Sequence, residues 1–201
     1  MSTAPTATRS PLMQFGLGAL HGPSQIYFQQ NILTGILILA AFFVADWRMG
    51  ILAILGAIGG MLGGVLVRFP LSTVGSGMQS FCGTLVGAAV FAALGGDAWY
   101  SYVLAFAGGI VSGPVTWLVN ALFTKTPLKK FDLPYTTAPF CITATIIALS
   151  TLQLAVKAPA SDLPDEPAIA FLLSLLTNVS QVVVVDSPID GAVILPGLFL
   201  P

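Results

Sequence analysis

Charge is what this sequence has least of. Of 201 residues, 7 are Lys or Arg, 8 are Asp or Glu and one is His. Charged side chains make up 7% of the chain, against about a quarter of an ordinary soluble domain. That is too few to cover a folded surface with water-binding groups. Basic clusters are missing and the net charge is −1, which argues against nucleic acid as a partner. His21 is the single histidine, and the spans hold no HExxH sequence, Ser-His pairing or Asp dyad, so an intramembrane enzyme lacks its parts. His21 has no ligand partner and reads as a surface or interface residue. Cys82 and Cys141, 59 residues apart in apolar stretches, form neither a disulfide framework nor a metal motif. No cofactor or metal is expected. The opening MSTAPTATRS has Arg9 but no apolar core before a cleavage site, and reads as a mobile tail over 1–15 rather than a signal peptide.

Apolar residues fill the space that charge leaves, at 56% of the chain with a mean hydropathy of +0.92. Disorder is excluded, and the expectation is an all-α polytopic integral membrane protein. Five segments approach the roughly 20 apolar residues that a bilayer core of about 30 Å requires: Ile32–Ala45, Gly50–Val67, Ser76–Leu94, Tyr100–Phe123 and Thr137–Val156. Turn and charge signals separate them, and Trp47 and Trp99 lie at ends suited to the headgroup region. A loop over 158–167 precedes a sixth stretch, Ala168–Val185, and a seventh, Gly191–Leu200. Counted by side, Arg9, Arg68, Lys125, Lys129 and Lys130 oppose Arg48 and Lys157, which favours a cytoplasmic N-terminus. Gly56, Gly60 and Gly64 form overlapping small-xxx-small pairs. They point to close helix packing, with dimerisation through that face as an alternative. Thr116 and Asn120 are candidates to bridge helices.

The chain also repeats itself. SQIYFQQNILTG at Ser24–Gly35 aligns with SQVVVVDSPIDG at Ser180–Gly191, an offset of 156, and extension to Phe43 and Phe199 gives six identities in twenty positions. An odd number of spans between the copies would set them in opposite orientations, as in inverted-repeat transporters.

Three blocks, in order, resemble the urea transporter family: SQIYFQQNILTG at Ser24–Gly35, GMQSFCGTLVG at Gly77–Gly87, and LPYTTAPFCITAT at Leu133–Thr145. The resemblance implies two inverted halves of five spans, each with a tilted re-entrant segment, usually assembled as a homotrimer with one pore per subunit. On that pattern residues 16–157 form the first five-span repeat, with its re-entrant segment near 21–31. Residues 168–201 form the start of the second repeat. The chain then reads as a fragment or half-transporter, a passive urea channel subunit of the plasma membrane with lipid around it. The alternatives are a non-conducting truncated membrane protein or a channel for ammonia, water or short amides.

By the same resemblance the urea pore draws on Gln25, Ile26 and Phe28 of the re-entrant segment, Phe81 and Leu85 of span three, and Thr145 of span five. The repeat adds Gln181 and Val182. Phe81 and Leu85 are four apart and share a helical face. None of these residues is ionisable, which suits a neutral solute. Each has a plainer reading: Phe81 facing lipid or core, Gln25 capping a broken helix end, Thr145 returning its hydroxyl to the preceding turn. Cys82 and Cys141 stand where the family pattern has Asn, exchanging strong hydrogen-bonding groups for weak thiols. Asp186 and Asp190 would suit a headgroup surface and be costly in lipid.

Overall fold

The structure, a computed structural model, describes residues 10–131, 137–156 and 166–200. Asp132–Thr136, which hold the Leu133-Pro134 start of the third block, lie outside the described residues, as do the tail 1–9, Lys157 and most of the 158–167 loop. Among the described residues the regular structure is helical: α1 (Pro11–Gln25), α2 (Ile32–Ala45), α3 (Trp47–Leu66), α4 (Leu71–Gly75), α5 (Ser80–Leu94), α6 (Trp99–Lys125), α7 (Ala138–Ser150), α8 (Pro167–Gln181) and α9 (Pro188–Ile194). Short 3₁₀ turns follow α6, α7 and α9.

The order of elements follows the sequence reading, but their lengths do not. Helix α1 begins at Pro11, inside the expected tail, because Ser10 caps it by accepting the Met13 N–H at 3.3 Å and Pro11 suits the first helical position. Span three begins at Ser80 rather than Ser76. Gly77 breaks it with φ +86°, and a Cβ there would lie 2.6 Å from the Gly22 backbone N of α1. Only α3 and α6, with 20 and 27 residues, are long enough to cross a bilayer among the described residues. The 14, 15 and 13 residues of α2, α5 and α7 reach roughly 20–23 Å at about 1.5 Å per residue, short of the hydrocarbon thickness. Stretch six ends at Gln181 and stretch seven at Ile194, where the chain leaves α-helical geometry.

Helix α3 is the centre. Its glycines meet α5 on one side and α6 on the other: a Cβ on Gly56 would strike the Gly83 carbonyl, and one on Gly63 the Ile110 carbonyl. The small-residue face is therefore consumed within the chain, so dimerisation through it is overturned. Thr116 does not bridge helices either; its hydroxyl donates to the Ser112 carbonyl of its own helix at 2.7 Å. Outward faces carry large apolar groups, including Leu66, Leu118, Ile146 and Leu149, as a lipid-facing bundle must.

Asp46 caps α3 through the Arg48 N–H at 2.8 Å, and its carboxylate also pairs with the Arg48 guanidinium, which reaches across to Asp97 between α5 and α6. The hydrogen bond from Arg48 holds the Asp46 carboxyl below the usual carboxylate range. Its stabilising share is thus present above the unfolded-state value of about 4 and lost as pH falls through the lowered one. Asp46→Asn should keep the cap and flatten the acid limb of a thermal-unfolding profile in detergent. Asp46→Ala should lose the cap as well, at a cost of about 1 kcal/mol; an unchanged acid limb in Asp46→Asn would remove the pair from the account.

Candidate functional site

The two copies of the repeat fold alike. In the first, Phe28 adopts φ +59° and in the second, 156 residues on, Val184 adopts φ +68°, a conformation that a β-branched residue enters only under strong local constraint. The Gln29 N–H donates to the Ser24 carbonyl and the Val185 N–H to the Ser180 carbonyl, both at 3.1 Å. Ser24 Oγ donates to the carbonyl three residues back and accepts the Asn31 N–H. Ser180 Oγ does the same with the Thr177 carbonyl and the Ser187 N–H. Asn31 and Ser187 then cap α2 and α9. Gly35 and Gly191 sit where a Cβ would strike the carbonyls of Leu20 and Leu176, again 156 apart. Each unit is thus a helix, a tight reversal and a second helix pressed back on the first.

The two units touch. Tyr27 Oη donates to the Val179 carbonyl, Gln29 Nε2 to the Leu198 carbonyl at 3.0 Å, and Thr34 Oγ1 to the Gly197 carbonyl at 2.8 Å. Sequence reasoning missed all three, although they lie inside the SQIYFQQNILTG block; their polarity in an apolar setting was the available signal.

Of the eight residues expected at the site, the structure gathers Ile26, Phe81 and Leu85 into one buried cluster with Val183 and Val185. Phe81 is 3% and Leu85 2% exposed. The others lie outside that cluster. Phe28 is 72% exposed and Val182 49%, and Gln181 is exposed with Nε2 donating to Asp186 Oδ1 at 3.1 Å. Gln25 ends α1 and donates Nε2 to the Ser76 carbonyl at 2.9 Å, so half of its amide braces the α4–α5 turn. Thr145 is exposed on α7 and lines a depression of about 230 Å³ with Val86, Val90 and Ile147, several times the ~30 Å³ share of a water. Thr143, Ser150 and Thr151 of the same segment return their hydroxyls to carbonyls four residues back. Among the described residues Thr145 Oγ1 makes no such bond and is the one polar group on an otherwise apolar wall.

His21 departs from its surface reading. It is buried, and its Nδ1 lies 2.8 Å from the Gly75 carbonyl, tying α1 to α4; a ring N–H meeting a backbone acceptor satisfies it without any ligand. Cys82 is buried with its sulfur at the Phe140 backbone N–H, and Cys141 is exposed; neither forms a disulfide. A weak acceptor thus occupies one of the helix α7 N-terminal donors.

With this geometry in view, the comparison with known proteins is direct: residues 18–201 match the family described as "Urea transporter". The chain belongs to the urea transporter family. Curated relatives include "Urea transporter 1" of Rattus norvegicus, 28% identical over 197 residues, and of Ovis aries, 27% identical over 201 residues; each alignment covers 94% of this chain and 51% of the relative. "Urea transporter 1" of Mus musculus is 28% identical with the same coverage. The chain thus spans about half the length of the curated relatives it matches. The family is one of membrane-integral transporters rather than enzymes.

Proposed function

We infer that this chain is a subunit of a passive urea channel and supplies one wall of its slot. Urea is small, planar and neutral, and it carries both donors and acceptors. Each amide-like group left unpaired in hydrocarbon costs on the order of 2–7 kcal/mol, so a path needs apolar walls that admit a flat solute and a few polar atoms that replace water. The observation that carries this reading is the meeting of the two reversals, Ile26 with Val183, against Phe81 and Leu85. Thr145 supplies a hydroxyl on α7 beside Val86 and Val90 of α5, and Phe28, Gln181 and Val182 stand outward toward a facing wall. That second wall would be another unit of the same kind in inverted orientation. Supporting the inversion are the recurrence at 156 and the contacts between the two units. The basic count favours a cytoplasmic N-terminus in the plasma membrane, and the family resemblance favours a homo-oligomer.

Weak, unpaired polar groups suit conduction, because a solute must leave as readily as it binds. In liposomes a conducting assembly should pass urea in preference to ammonia and water. Thr145→Val keeps the shape and deletes the hydroxyl. It should lower urea flux roughly two- to tenfold, the worth of one hydrogen bond of about 0.5–1.5 kcal/mol, while Thr145→Ser keeps most of it. Wild-type flux through folded Thr145→Val protein would take the residue out of the site. Flux rising linearly with protein density would place both walls in one chain; a quadratic rise would place them in two copies.

A further inference from the structure

The contact between the two repeat units is lopsided. Its side-chain hydrogen bonds run from Tyr27, Gln29 and Thr34 of the first unit to backbone carbonyls of the second. The residues 156 further on are Val183, Val185 and Asp190. Two are hydrocarbons that cannot return the bonds. The third is a carboxyl, 1% exposed, with Oδ1 lacking any hydrogen-bond partner. Asp190 is therefore buried within the protein rather than on its surface, where its charge would place it.

The pairing of Thr34 with Gly197 indicates what Oδ1 faces. If the units are related by a two-fold, the reciprocal of that pair is Asp190 with residue 41, and Ala41 of α2 is fully buried where α9 packs on α2. Thr34 meets its carbonyl by donating a hydroxyl proton at 2.8 Å. A carboxylate has no proton to donate, and although the Ser187 side chain hydrogen-bonds this carboxyl, a buried charge whose Oδ1 faces a carbonyl oxygen is costly. A carboxylic acid makes the same bond that threonine makes. Nothing on the packed elements offers a counter-charge: α2, α8 and the Leu195–Phe199 turn contain no Asp, Glu, His, Lys or Arg. On the adjoining turns, Tyr27 donates to Val179 and Asp186 accepts from Gln181; on α9 itself Asp190 is the single ionisable group.

We propose that Asp190 is a proton-binding site that locks α9 onto α2: its neutral carboxylic acid donates to the α2 backbone, and release of that proton loosens the contact. Because α9 is continuous with the reversal that brings Val183 and Val185 against Phe81 and Leu85, the lock also sets the slot wall. This last step rests on the channel reading above; the proton site does not.

Infrared spectroscopy of the protein in detergent or lipid reads the site directly. At about neutral pH, where exposed carboxyls are ionised, wild type should show the carbonyl-stretch band of a protonated acid, and Asp190→Asn should lose it. The thermal midpoint of wild type should fall by several degrees between about pH 6 and about pH 9 as the proton leaves, and Asp190→Thr, carrying the first unit's residue, should show a markedly smaller fall. Absence of the band at neutral pH, or an equal fall in Asp190→Thr, would overturn the proposal. Should Asp190→Asn fail to fold, Asp190→Thr serves for the band as well. A band that is present in a protein passing no urea would sink the channel reading and leave the proton site standing.

Discussion

Replacing Gly56 by alanine should abolish folding of this protein, because the added methyl group meets backbone on a helix that is packed from two sides. Gly56 lies where three helices meet. Its added Cβ would strike the Gly83 carbonyl of α5 and lie 3.0 Å from the Gly87 N, and Gly109 of α6 packs on the Gly56 carbonyl from the other side. The obstructing atoms are backbone, so no rotamer change relieves the clash; α3 must move off α5, α6 or both. Overpacking of cores costs about 1–3 kcal/mol where side chains can adjust. Here the cost should exceed that range and take most of a typical 5–15 kcal/mol of stability. Size-exclusion of the detergent-extracted variant should show aggregate in place of the wild-type peak. Gly16→Ala is the control: nothing lies within 4 Å of its Cβ, and its helix should gain slightly. A monodisperse Gly56→Ala protein of wild-type thermal midpoint would mean that α3 is packed differently.

Removal of the Phe81 ring should have the largest effect on transport. Phe81 is 3% exposed in the cluster that joins Ile26 to Val183, so truncation opens a cavity and, on the proposed channel reading, unsettles the slot wall. Phe81→Ala should cost about 3–5 kcal/mol of stability and, per folded molecule, lower urea flux about tenfold or more, equivalent to at least ~1.4 kcal/mol in the barrier. Phe81→Leu separates the two effects. It keeps most of the apolar volume, so the fold should survive at a cost below about 1.5 kcal/mol while flux still falls. Stopped-flow shrinkage of liposomes, normalised to folded protein, is the measurement. Full urea flux in folded Phe81→Leu would show that the ring serves packing alone.

Particular residues show how far the sequence could be read. The membrane class followed from charge and hydropathy, and the family from three blocks in order, in agreement with the family match over residues 18–201. The repeat at 156 was visible as identities at Ser24, Gln25 and Gly35, and these hold up: Ser180 and Gly191 repeat the hydrogen bonds and close approach of Ser24 and Gly35. Of the expected pore residues, Ile26, Phe81 and Leu85 share one buried cluster and the other five stand outside it. Gln25 was less legible, because a side chain at a broken helix end has several partners within reach, and the one it meets, Ser76, is 51 residues away.

What the sequence determined by itself was composition-driven: an apolar, helical, membrane-embedded chain, glycine at the helix contacts and two related segments. These are local or additive properties, readable one stretch at a time. Helix length was not among them. Ser76–Leu94 carries no charged residue, and the seat of Gly77 on α1 stops the helix from running its full extent. The burial of His21 and Asp190 was likewise decided in three dimensions. Burial of a polar group depends on what the fold packs over it, the Gly75 carbonyl of α4 for His21 and helix α2 against α9 for Asp190, and in both cases the covering element comes from a distant part of the chain.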